Sequence, residues 1–81
     1  MYELIRQAKA RTVGTRAVLR AVERGEARVV FVARDAEPRV VAPVVALCGR
    51  KGVQVVWVDS MTELGRACGI EVGAASAAVL E

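Results

Sequence analysis

Arg16, Arg20 and Arg24 recur at every fourth residue, directly after the pair Gly14-Thr15. At about 100° per residue, a helix over 16–24 carries all three arginines within roughly 80° of arc and turns Val18, Leu19, Ala21 and Val22 the other way. Arginine offers a planar, permanently charged fork of donors that suits phosphate oxygens and the edge of guanine. A helix start adds backbone N–H groups without partners and the positive end of the helix dipole. Taken alone, Gly14-Thr15 is an ordinary strand-to-helix turn. Arg16 and Arg20 change its chemistry, because guanidinium groups then stand beside those N–H donors. Arginine there opposes the dipole, a mild cost that an external anion relieves. The row is either a solvated basic face or a polyanion-binding patch. It is neither a P-loop nor a dinucleotide fingerprint, since no Gly-Lys-Ser/Thr and no further glycines follow.

The second feature is the run Gly69-Ile-Glu-Val-Gly-Ala74. It reads as a loop carrying two apolar side chains, Ile70 and Val72. Either both tuck into the core, or they form an apolar surface for unstacked bases or another partner. Asp35 and Glu37 stand just before Pro38, where acids complement a helix start. No nucleophile or base accompanies them, so capping is the role expected of them and no residue is assigned to catalysis. The chain has no histidine, which excludes Ser-His and Cys-His systems and imidazole metal sites. Two cysteines cannot make a four-Cys zinc centre, and neither a metal nor a cofactor is expected. Three aromatics (Tyr2, Phe31, Trp57) are too few for a stacking platform that binds single-stranded nucleic acid. Cys48 and Cys68 read as reduced, buried small hydrophobes.

Eighty-one residues, 54% of them apolar, allow one domain with a small core. The net charge is +3, but residues 1–28 carry +4 and residues 29–81 carry −1. Ten of the twelve bases are arginine, so the excess is concentrated in the segment that holds the arginine row. Glu3 and Arg6 interrupt any apolar leader, and the uncharged stretch Val40–Gly49 is too short to span a bilayer. A soluble, cytoplasmic protein is the expectation.

The elements that must position these residues alternate. Tyr2–Lys9 has the spacing of a short amphipathic helix, and Ala10–Val13 reads as extended. A helix over 16–24 follows, with Gly25 as its stop. Arg28–Ala33 and Val53–Val58 are continuous apolar runs, expected as strands buried on both faces. Val22, Val30, Val32, Val55 and Trp57 are accordingly expected in the core. Between the runs lies a helix reaching about Arg50, with Gly52 as its stop. Pro43 is compatible with it if the regular helix begins near Val40. Ser60-Met-Thr-Glu63 fits a capping box with Ser60 as N-cap, and Gly69 ends that helix. Ala75–Leu80 is a last strand. The order α-β-α-β-α-β-α-β argues for an α/β sandwich with helices on both faces of one sheet.

Gly14-Thr15-Arg16-Ala17-Val18-Leu19-Arg20, Ala33-Arg34-Asp35-Ala36-Glu37-Pro38 and Leu64-Gly65-Arg66-Ala67-Cys68-Gly69-Ile70-Glu71-Val72-Gly73-Ala74-Ala75 together resemble, in order and spacing, the kink-turn RNA-binding ribosomal proteins of the L-seven-Ae and L-thirty-e family. The similarity is strongest to the short bacterial homologue, and the third motif is the most specific. The resemblance implies a single three-layer α/β/α sandwich over residues 1–81, built on a four-stranded mixed sheet. It also implies a non-enzymatic function: binding of kink-turns, sharply bent RNA helices built around a bulge and sheared G·A pairs. Carried over by position, Gly14, Thr15, Arg16 and Arg20 form the helix side of the RNA site. Ile70, Glu71, Val72 and Gly73 form the loop over the bulged nucleotides, and Arg34 lies near the same surface. Archaeal and eukaryotic members place Asn-Glu after Gly-Thr to read guanines, where this chain has Arg16 and Ala17. Ala17 cannot bond a base edge, whereas Arg16 can grip guanine bidentately or hold a phosphate. The implied partner is structured RNA, ribosomal RNA included, met by a protein that is monomeric without it. The alternative is a protein-interaction module that keeps the fold without kink-turn binding.

Overall fold

The computed structural model describes residues 2–81. The elements alternate as α1 (Glu3–Gln7), β1 (Arg11–Val13), α2 (Thr15–Glu23), β2 (Ala27–Ala33), α3 (Pro38–Lys51), β3 (Gln54–Val58), α4 (Met61–Ala67) and β4 (Ser76–Leu80). The strands form one mixed sheet in the order β1-β4-β2-β3. β4 runs antiparallel to both β1 and β2, and β2 and β3 are parallel. β1, β2 and β3 therefore share one direction. Their C-terminal ends and the N-terminal end of β4 lie along a single edge of the sheet. α2 and α3 pack together on one face, and α1 and α4 meet on the other.

The core follows from residue size at the centre of the sheet. Val29 to Ala33 of β2 are all buried, as the uncharged run predicts, and β4 contributes Ser76, Ala77 and Ala78, also fully buried. Such small side chains let helices approach β4 closely from both faces. On α2, Val18, Ala21 and Val22 are buried while Arg16, Arg20 and Arg24 are exposed, so the expected helix phase holds.

Three expectations are corrected. Val55 is only half-buried and Trp57 is 39% exposed. β3 is an edge strand with one neighbour, and an apolar run does not reveal how many neighbours a strand has. α3 begins at Pro38, not near Val40, and continues through Pro43. Pro43 and Arg39 both lie on the exposed side, so the Arg39 carbonyl that loses its bond faces water. Thr15 lies in the first turn of α2, as the strand-to-helix turn at Gly14-Thr15 implies, and Gly14 takes the N-cap position. Asp35 does not cap α3. Its Oδ1 accepts the Met61 N–H at 2.8 Å and so caps α4, while Glu37 holds the N-cap position of α3 without a side-chain bond. The Ser60 cap forms as expected, its Oγ accepting the Glu63 N–H at 3.0 Å. Cys48 in α3 and Cys68 after α4 are both free and buried.

Candidate nucleic-acid interface

The edge where β1, β2 and β3 end gathers most of the residues singled out in the sequence. Gly14 joins β1 to α2 with φ +98°, outside the range L side chains readily adopt. A Cβ would meet nothing there within 4 Å, so glycine is required by conformation and not by crowding. Its N–H donates to the Ser76 carbonyl at 3.0 Å, tying the start of α2 to the start of β4. Its own carbonyl accepts the Val18 N–H at 2.9 Å, the first bond of the helix. No side chain caps α2, and its first turn contains no acid. The donor-rich helix end is left to an outside acceptor. Among the described residues, Arg16, Arg20 and Arg24 have no ion-pair partner. Arg16 stands at the edge; Arg20 and Arg24 recede from it along α2 by about 6 Å each.

The opposite side of this edge is the segment from Gly69 to Ala75, held mainly through its backbone. α4 ends at Cys68, and Gly69 turns the chain with φ +79°. The Gly69 N–H donates to the Arg66 carbonyl and the Ile70 N–H to the Gly65 carbonyl, each at 3.0 Å. Further on, the Val72 carbonyl lies against Gly65, where any Cβ would overlap it. Gly73 rests on Met61, and the Ala74 N–H donates to the Met61 carbonyl at 3.0 Å. The two apolar side chains divide between the alternatives left open by the sequence. Ile70 packs on the core, while Val72 is 71% exposed beside exposed Glu71 and Gly73.

Arg34 completes the edge. Its N–H donates to the Val58 carbonyl at 2.8 Å, joining the end of β2 to the end of β3. Its Nε lies 3.8 Å from Asp59 Oδ1, with both side chains largely in solvent. Such a pair holds the guanidinium weakly. The Ala33 N–H donates to the Ala75 carbonyl at 2.9 Å, and Gly14 bonds the adjacent Ser76, so β2 and α2 clasp the chain just as it leaves the loop. Arg16, Arg34 and the 70–73 loop thus share one edge. The helix side is basic, whereas Asp35, Asp59 and Glu71 put acids near the loop side.

Nothing in this arrangement activates a nucleophile. Burial raises the pKa of the Cys48 thiol. It does the same for Cys68, where burial outweighs the opposing pull of nearby Arg11, so both stay protonated at neutral pH. Among the described residues, no three Cys, Asp or Glu side chains stand together as metal ligands, and no helix is long and apolar enough to cross a membrane. Sequence reasoning gave no role to Gly65, which appears there only within the third motif, or to Arg11, which had no local signal.

The family described as "Ribosomal protein L7Ae/L30e/S12e/Gadd45 family" matches residues 1–81. An RNA-binding protein of Halalkalibacterium halodurans is 47% identical over 78 residues, covering 96% of this chain and 95% of its own. The large ribosomal subunit protein eL8 of Halobacterium salinarum is 43% identical over 79 residues, covering 96% of this chain and 66% of its own. Among solved structures, the 15.5 kD RNA binding protein of Giardia lamblia superposes with a TM-score of 0.89 at 32% identity, over 99% of this chain and 70% of that one.

Proposed function

The chain belongs to the L7Ae/L30e/S12e/Gadd45 family of ribosomal proteins, and from that premise we propose that it is a non-enzymatic RNA-binding protein that recognises kink-turns. The observation that carries the reading is the pairing, on one sheet edge, of an uncapped helix start lined by free arginines with a pinned loop that presents Val72 to solvent. Arg16, Arg20 and the N–H groups after Gly14 hold phosphates, and Thr15 shapes the turn. Ile70 supports the loop from the core while Glu71, Val72 and Gly73 cover the bulged nucleotides. Arg34, only weakly held by Asp59, reaches the same RNA. Affinity comes from phosphate neutralisation, and specificity comes mainly from RNA shape. Residues 1–81 act as one domain on structured RNA in the cytoplasm, ribosomal RNA among the candidates.

A gel shift with a kink-turn oligonucleotide and a matched duplex lacking the bulge tests this. Retardation of the kinked RNA at concentrations that leave the duplex free supports the reading. Equal retardation of both refutes it and leaves only a basic surface.

A further inference from the structure

Arg11 stands on β1, opposite Val79 of β4 and outside every motif discussed above. Its Nη1 donates to the Ile5 carbonyl at 3.1 Å and the Arg6 carbonyl at 3.2 Å, and its Nη2 donates to the Cys68 carbonyl at 3.2 Å. These acceptors belong to the last turn of α1 and the residue that ends α4. Carbonyls at helix ends lack intrahelical partners and carry the negative end of the dipole. One guanidinium therefore satisfies two helix ends at once. Among the described residues it has no carboxylate partner, so its charge is met by carbonyl dipoles. A Cβ at Gly69 would meet Nη2 at 3.6 Å, in ordinary contact, so the guanidinium lies directly beneath the turn where the loop leaves α4. Every other hydrogen bond found for residues 68–75 runs between backbone atoms, and this is the only side-chain bond among the described residues that reaches the segment.

We infer that Arg11 is a positioning residue that sets the departure angle of the Gly69–Gly73 loop and so presents Val72 in a preformed position. The physical claim stands on the clamp geometry; its consequence for RNA rests on the kink-turn reading above. A loop held before binding spares the complex the cost of ordering it. Lysine cannot replace this arrangement, because a single ammonium lacks the planar fork that spans two helix ends.

Arg11→Met removes the donors and keeps most of the stem. In the RNA-free variant, amide hydrogen exchange over residues 69–75 should accelerate while β2 and β4 exchange as in the wild type. Affinity for kinked RNA should fall by about five- to tenfold, with little change for the bulge-free duplex and an unchanged salt slope. Arg11→Lys should fall between the two, and it carries the same comparisons if Arg11→Met does not fold. Unchanged loop exchange would overturn the inference. So would an equal loss on both RNAs with a slope lower by about one ion, since that would make Arg11 a phosphate contact. If the wild type itself fails to distinguish the two RNAs, the kink-turn reading falls, and the exchange comparison still decides the clamp.

Discussion

The two sides of the edge are built on opposite principles. Among the described residues, the start of α2 offers charge and unsatisfied donors with nothing to occupy them: no cap, no acid in the first turn, no ion pair on Arg16 or Arg20. The Gly69–Ala75 segment is internally satisfied. Gly65, Met61, Ala33 and Arg11 all hold it, and what remains exposed is chiefly the side chain of Val72. A charged helix face attracts any phosphate backbone, and its contribution falls steeply with salt. A rigid apolar protrusion contributes nothing until a surface of matching shape meets it. On the proposed kink-turn reading, the labour divides accordingly: the helix side supplies affinity for RNA in general, and the loop side selects the bend.

The most damaging change to this division is a side chain at Gly65. Replacing glycine in a helix ordinarily gains up to about 1 kcal/mol. Here the new atoms would overlap the Val72 carbonyl, and displacing packed backbone costs about 2–3 kcal/mol. Gly65→Val should therefore lower Tm by about 10–20 °C and abolish discrimination of the bend. An unchanged melting curve would mean that the loop does not seat on α4. Val72→Asp is next. It leaves the pins intact and sets a carboxylate against the RNA, so affinity for kinked RNA should fall roughly tenfold or more while the bulge-free duplex binds as before. If both affinities fell together, Val72 would not be the selecting contact. Arg20→Ala has the smallest effect and the opposite signature. It should weaken both RNAs alike and flatten the salt slope by about one ion. A loss confined to kinked RNA would move Arg20 to the selecting side.

The helix side was legible in the sequence because its signals are local. The four-residue arginine spacing, the glycine before it and the apolar positions between define one helix and its phase without reference to the rest of the chain. The capping box at Ser60 is legible for the same reason. What was not legible depends on residues far apart. Asp35 looked like a cap for the helix that follows it, yet the fold brings it to Met61, and no spacing rule connects the two. Trp57 sits in a run indistinguishable from that of β2, and only the strand order makes β3 an edge. The Arg11 clamp joins residues 57 positions apart. On the loop side, the apolar run and the motif resemblance both pointed to Ile70 and Val72, but which of them faces the core was settled only by packing, one inward and one outward.

The most direct test of this division is the salt dependence of wild-type affinity for kinked and bulge-free RNA, measured over the same range of salt concentration. If charge supplies affinity and shape supplies selection, the two plots of log affinity against log salt run parallel, separated by a constant offset in favour of the kinked RNA. Coincident lines would show that the loop selects nothing. Lines that converge as salt rises would show that the preference is itself electrostatic, and the separation of roles between α2 and the Gly69–Gly73 loop would be wrong.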